Sequence, residues 1–407
     1  MYTDDFRIED FKCFSKQEMS FNWPGQPVPK GGQAKRLPNI NLLIGNNRTG
    51  KTSIFQALTI AALGPYLANN SSGFRTPAAI RYGETSARSA SKLFLAPFDT
   101  EVNPTPESEF ISVAGHRVTS TIEREGTSQI LSSRSQAVRW KESLSFEDRP
   151  ACFMAAYGAN RRSERPEAYN ERLRGTRYQR VASLFESHVG LIPLSLAYSQ
   201  CQDRNRWAEV TEIVNRLLQP SVRLTDRVND GEPLFDYDGI PLPVSELSDG
   251  YRLFVGWLID CLTHLARVFP QRLKLTEAIG MVIVDEVDLF LSPVWQRTVL
   301  ESLANTFQHI QWFCSTHSPL VAGSLDNENI YIIERSAPFT SRIQRPTEEF
   351  EGKSVDEVLV DLFGVNQPRS PQLERQLSDL AKRAMNGDLE ASLLYLQRLN
   401  KGSGQLR

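Results

Sequence analysis

The stretch Gly45-Asn46-Asn47-Arg48-Thr49-Gly50-Lys51-Thr52-Ser53 decides the fold. Glycines at Gly45 and Gly50 permit a loop whose backbone N–H groups turn inward around phosphate oxygens. Lys51 reaches the outer phosphates, and the Thr52 hydroxyl is a ligand for Mg²⁺. The context is the one this loop needs. Residues 39–45 supply an apolar strand (Ile40, Leu42, Leu43, Ile44), and a helix is expected from Gly50 with Ile54, Leu58 and Ala61 on one face. That helix aims its positive N-terminus at the anion. The whole run from Gly45 to Ser53 is therefore the candidate nucleotide-binding segment.

Further along the chain, Met281-Val-Ile-Val284 is continuously apolar and ends in Asp285-Glu286. An acid at the C-terminal end of such a strand can hold Mg²⁺, which assigns Asp285. Glu286 is then placed to polarise an attacking water as general base. Phe313-Cys-Ser-Thr-His317 puts a histidine just past the next strand, where several strand ends converge, and His317 is the second candidate catalytic residue. Between loop and acids lies Glu246-Leu-Ser248-Asp249-Gly250-Tyr-Arg252-Leu-Phe254. It reads as a helix N-terminus, capped through Asp249. It also reads as half of a nucleotide site, in which Ser248 offers a hydroxyl and Gly250 allows close backbone approach.

The order of these motifs resembles the ABC-type ATPases of the SMC, Rad50 and RecF group. It is similar above all to small prokaryotic ATPases with an SDGYR signature, including those of Septu-type and retron-linked antiviral systems. The resemblance rests on Gly45–Ser53, Ser248-Asp-Gly-Tyr-Arg252, Asp285-Glu-Val-Asp288, Leu291-Ser-Pro-Val-Trp-Gln296 and Ser315-Thr-His-Ser-Pro319, and covers roughly 1–158 and 245–335. It implies a head with a mixed P-loop sheet, an antiparallel β subdomain, a helical insertion and a C-terminal helical tail. It implies ATP and Mg²⁺ as ligands, ATP hydrolysis, and a head-to-tail dimer in which Ser248, Asp249 and Gly250 of one copy cap the nucleotide on the other. Two departures stand out. Leu289-Phe-Leu-Ser-Pro293 replaces a segment that usually carries histidines, and Asn160 stands where a glutamine is expected.

The rest of the chain is less specific. With 407 residues, 40% of them hydrophobic, and a net charge of -2, a large core is possible and no global attraction to polyanions exists. Five scattered cysteines and five histidines have no zinc spacing, and the acidic start and absence of roughly 18–20 consecutive apolar residues suggest a cytoplasmic protein. The expected divisions are 1–158, 159–244, 245–340 and 341–407. Strands are expected over 6–22, 109–131, 151–157, 310–315 and 330–333, with a hairpin at 234–244. Helices are expected near Trp207–Leu217 and over 251–268, 294–307 and the tail beyond Pro371; 64–108 resists assignment. Arg161, Arg162, Arg165, Arg172, Arg174, Arg177 and Arg180 form a basic stretch. It can neutralise nucleic-acid phosphates, or it can be a solvated helix paired with Glu164, Glu167 and Glu171.

Three functions follow. One is a regulatory ATPase of a defence system, controlling a separately encoded effector such as a nuclease: no nuclease motif is seen, and the about 90 residues beyond His317 are too few for the acidic nuclease domain carried by overcoming-lysogenisation-defect proteins. Another is a DNA-binding repair ATPase. A third, a transporter subunit, is disfavoured by the insertion and the signature.

Overall fold

The computed structural model describes residues 1–28, 31–69, 73–94, 115–135, 153–162, 169, 176–269, 271–346, 357–358, 371–385, 388, 390–391 and 393–395. It comprises two compact units, Met1–Gly352 and Lys353–Arg407. The strand expectation at 109–112, the acids of the basic stretch and Arg165, Arg172 and Arg174 lie outside the described residues.

The first unit opens on a hairpin, β1 (Tyr2–Phe11) and β2 (Phe14–Ser20), rather than one long strand over 6–22. The reversal occurs at Lys12-Cys13, where Asp10 and Lys12 have left-handed backbones (φ 49° and 50°). Both arms bury apolar residues on the same core, including Phe6, Ile8, Phe14 and Met19. β3 (Ile40–Ile44) follows, then α1 (Lys51–Leu67). Expected to bury one face, α1 is buried on nearly all sides. It lies against β4 (Ser86–Phe94), β5 (His116–Glu125) and β6 (Ser128–Ser135), which join β2 and β1 in an antiparallel sheet ordered β2-β1-β4-β5-β6.

β7 (Met154–Tyr157) leads to the insertion: α2 (Thr176–Phe185), α3 (Leu194–Asp203) and α4 (Trp207–Leu217). α4 buries Trp207, Val210, Ile213 and Leu217, as the helical spacing predicts. A small sheet follows, of β8 (Val222–Asn229), β9 (Glu232–Tyr237) and β10 (Ile240–Leu242). Its last turn places Asp238 and Gly239 at positive φ (49° and 89°), the conformation this dipeptide favours.

Then come α5 (Asp249–Val268), β11 (Gly280–Val284), α6 (Pro293–Gln296), α7 (Val299–Thr306), β12 (Ile310–Thr316), α8 (Pro319–Ala322), β13 (Ile330–Ala337) and β14 (Thr340–Gln344). The single helix expected over 294–307 is two helices. The Trp295 ring in α6 docks on Tyr251 and Phe254 of α5, with centroids 5.1 and 4.6 Å apart. The central sheet is ordered β14-β13-β3-β12-β11-β7, and all its neighbours are parallel except the β14 edge. Its strands read as continuous apolar runs because both faces are covered. Among the described residues, no helix is long and apolar enough to cross a membrane.

A fully buried polar residue helps join the two main sheets. Gln311, fully buried in β12, accepts from Thr3 N at 2.9 Å and donates to the carbonyls of Thr3 and Asn22, each at 2.7 Å. Its side-chain amide is fully used. In the second unit, α9 (Pro371–Met385) is followed by Asp388, which pairs with Arg383 at 2.7 Å and accepts from Ala391 N at 3.0 Å. Asp388 thus starts the next helical turn, for which the sequence spacing predicts an apolar face of Leu393, Leu396 and Leu399; Leu393 is instead exposed. Leu396 and Leu399 lie outside the described residues.

Replacing Gln311 with Leu leaves three buried backbone groups without their partner. Chemical denaturation is expected to show a loss of about 2–4 kcal/mol, concentrated in this one residue.

Candidate functional site

The site lies where β3, β11 and β12 end side by side. β3 stops at Ile44, and the chain enters the glycine loop before α1 begins at Lys51. Gly50 sits at the head of α1 with φ 106°, and an added Cβ would lie 2.5 Å from Cys13 Sγ and 2.8 Å from the Phe14 ring. A side chain there would push the loop off the β1–β2 turn. Lys51 arches back over the loop, donating to the carbonyls of Gly45 at 2.7 Å and Asn46 at 3.2 Å. The Thr49 hydroxyl donates to Asn46 O at 2.8 Å. Gly45, Asn46 and Thr49 shape the loop, while Asn47, Arg48, Gly50, Lys51, Thr52 and Ser53 line a cavity of about 340 Å³.

Asp285, Glu286 and His317 line the same cavity. Asp285 is buried and gripped from two sides. Thr52 Oγ1 donates to one carboxylate oxygen at 2.5 Å, and Ser315 Oγ donates to the other. Ser315 Oγ also accepts from Glu286 N at 2.8 Å, so one hydroxyl aligns both acids. Glu286 is half-buried, with a left-handed backbone (φ 50°). Burial pushes its carboxyl above the usual range, and the neighbouring Asp285 and Asp288 add to the shift. Burial pushes the Lys51 ammonium down against the pull of the same acids. His317 is also pushed down, first by burial and then by the Lys51 cation, against the pull of Asp288 and Asp285.

The residues suited to a divalent cation are Thr52 and Asp285. Their oxygens already meet at 2.5 Å, and both are hard donors. Among the described residues no cluster of three or more His, Cys, Asp or Glu suits a metal ion. A sparse protein donor set is what Mg²⁺ uses when phosphate oxygens and waters complete its shell.

The signature residues are not part of this cavity. Ser248, rather than Asp249, holds the N-cap position of α5, and its side chain closes no cap. Asp249 lies inside the helix, is exposed and pairs with Arg252, so the expected cap through Asp249 is corrected. Gly250 backs onto the segment after the acids: an added Cβ would sit 2.3 Å from Phe290 O. That segment is tied to the end of β12. Thr316 Oγ1 donates to Asp288 at 2.6 Å, and Ser318 Oγ donates to Gln296 at 2.6 Å. Phe290, within the departing Leu289–Pro293 segment, is 64% exposed.

Sequence reasoning missed three residues. Lys12 and Cys13 line the cavity from the β1–β2 turn, which had been read as mid-strand. The third is Arg161. The basic stretch was expected either to face nucleic acid or to lie in solvent, yet Arg161, Arg177 and Arg180 are all buried. A phosphate-binding surface made of these three is therefore ruled out. Arg161 donates to the carbonyls of Gly158 at 3.0 Å, Glu286 at 2.8 Å and Asp285. Burial pushes its guanidinium down to about 10, against the opposing pull of Asp285 and Glu286. Asn160 is exposed and does not line the cavity. The signal for Arg161 was its place, four residues past the end of an apolar strand, rather than its charge.

Comparison with known proteins agrees with this geometry. Residues 6–149 match the family described as "AAA domain", and residues 204–323 match "AAA domain, putative AbiEii toxin, Type IV TA system". The chain is 30% identical over 139 residues to the retron Ec83 probable ATPase of Escherichia coli, covering 34% of this chain and 24% of that one. It is 26% identical over 220 residues to the Septu protein PtuA of Bacillus mycoides (strain KBAB4), covering 53% of this chain and 29% of that one. The chain thus spans about a quarter to a third of the length of the curated relatives it matches. An Smc head solved with the C-terminal winged-helix domain of ScpA aligns over 85% of this chain and 97% of that one, with a TM-score of 0.49 and 15% identity. In these segments the chain is similar to AAA-type ATPase domains, among them those of the retron and Septu ATPases.

The raised Glu286 carboxyl has a consequence for stability. The folded state holds that proton more tightly than the unfolded state does, so its contribution to stability is present below about 4.5 and is lost as pH rises through the folded value. Glu286→Gln is expected to melt higher than the parent at pH 7, with the gap closing toward pH 4. Thermal melts across that range check it.

Proposed function

We propose that the chain binds ATP with Mg²⁺ and hydrolyses it within a head-to-tail pair of copies, acting as a switch. Thr52 and Asp285 hold Mg²⁺, which neutralises charge on the outer phosphates when bound. The loop N–H groups and Lys51 hold the phosphates, and Glu286 accepts a proton from the attacking water. His317 offers a hydrogen bond toward the terminal phosphate. Ser248, Asp249 and Gly250 of the second copy close over that phosphate. ATP thereby draws the two heads together, and its hydrolysis releases them.

The observation that carries the shared site is the position of Ser248. It is exposed at the head of a 20-residue helix, leaves its own cap open, and stands outside the cavity of its own chain. Likeness to the retron and Septu ATPases supports a role in anti-phage defence, in the cytoplasm, with the ATPase governing a separately encoded effector such as a nuclease. The C-terminal unit is the candidate surface for that partner.

Two variants separate binding from engagement. Glu286→Gln should bind ATP, turn over at least about 100-fold more slowly and accumulate as ATP-dependent dimers in light scattering. Ser248→Arg should bind ATP as a monomer yet neither dimerise nor hydrolyse it. Normal turnover by Ser248→Arg would exclude a shared site.

A further inference from the structure

We infer that Arg161 is a positioning residue for ATP hydrolysis, holding Glu286 on the cavity and tying it to the helical insertion. The inference rests on the ATPase reading proposed above and adds a residue and a route of control to it.

Arg161 is 1% exposed, yet the three hydrogen bonds it makes are to backbone carbonyls rather than to a carboxylate. Two of those carbonyls belong to Asp285 and Glu286. Glu286 has the left-handed backbone that non-glycine residues adopt only when their surroundings hold them there. Its surroundings do so at both ends. Ser315 Oγ accepts from its N–H, and Arg161 donates to its carbonyl. With the peptide units on either side fixed, the side chain leaves the strand end toward the nucleotide cavity. Arg161 does not line that cavity, so it acts through Glu286 and not on the nucleotide.

A buried guanidinium is a costly way to fill space, and an aliphatic side chain would do so more cheaply. What the guanidinium adds is a rigid fork of donors that can fix several carbonyls at once.

The segment carrying Arg161 belongs equally to the insertion. Gly158 N donates to Ser183 Oγ of α2 at 3.4 Å, and Ser183 Oγ donates to Ala156 O at 3.1 Å. Leu191 N, between α2 and α3, donates to Arg162 O at 2.7 Å. Beside it, β7 pairs with β11, Tyr157 opposite Val284, and Asp285 N donates to Tyr157 O at 2.8 Å. A shift of α2 therefore moves residues 158–162, and Arg161 carries that movement to the carbonyls of Asp285 and Glu286. A protein effector that displaced the insertion would change turnover without touching the nucleotide.

The test uses the full chain and three variants, Arg161→Met, Arg161→Lys and Ser183→Ala. Turnover, affinity for a fluorescent ATP analogue and melting temperature are measured for each. Arg161→Met is expected to lower kcat at least about tenfold with analogue Kd within about twofold, and Arg161→Lys to fall between it and the parent. Ser183→Ala is expected to lower kcat at unchanged Kd. Parental kcat in a folded Arg161→Met, or equal losses of kcat and affinity, would overturn the positioning role. Should Arg161→Met not fold, Arg161→Lys decides, with parental kcat overturning the role. Parental kcat in Ser183→Ala would overturn the link to the insertion. A parent protein with no ATP hydrolysis would instead overturn the ATPase reading itself.

Discussion

A single buried carboxylate organises the site. Asp285 accepts from Thr52 at the head of α1 and from Ser315 at the end of β12, while lying itself at the end of β11. Three elements distant in sequence are thereby brought to one point. A buried carboxylate is tolerable only when its oxygens are satisfied, so the hydroxyls of Thr52 and Ser315 are a condition of the fold as well as of the chemistry. Because Ser315 also accepts from Glu286 N, the second acid inherits its direction from the first. Moving any one of these groups disturbs the proposed cation ligands and the proposed base together.

From that point the same logic extends outward. Asp288 is held by Thr316, and Gln296 by Ser318, so the chain from Asp285 to Gln296 follows the end of β12. Its middle, at Phe290, is close enough to α5 that only glycine fits at Gly250. The head of the signature helix is thus packed against the segment that follows the acids of its own chain, while Ser248 is exposed and outside their cavity. This arrangement suits a device that senses a nucleotide held elsewhere.

Much of this was legible in the sequence because the chemistry constrains spacing tightly. The loop from Gly45 to Ser53 needs its glycines and its flanking strand and helix, and the β11 run ending in Asp285-Glu286 needs cover on both faces. Other features were hidden for identifiable reasons. The turn at Lys12-Cys13 carries neither glycine nor proline, so β1 and β2 read as one strand, and two cavity residues went unnoticed. α1 shows helical periodicity, but periodicity does not reveal that both sides are covered. Arg161 sat in a run of arginines, and such runs ordinarily lie in solvent. Only the carbonyls at the end of β11, more than a hundred residues away, explain why this one is inside. Gln311 was likewise hidden within an apolar strand, since its partners, Thr3 and Asn22, are remote in sequence.

The central claim is that each nucleotide site is completed by a second copy. Mixing two inactive variants tests it most directly. A copy with Lys51→Ala keeps a working signature, and a copy with Ser248→Arg keeps a working loop. Mixed in equal amounts, they should regain ATP hydrolysis, up to about a quarter of the parental rate, because half of the pairs hold one complete site. If the mixture stays as inactive as either variant alone while mixed pairs form, the site is not shared between copies.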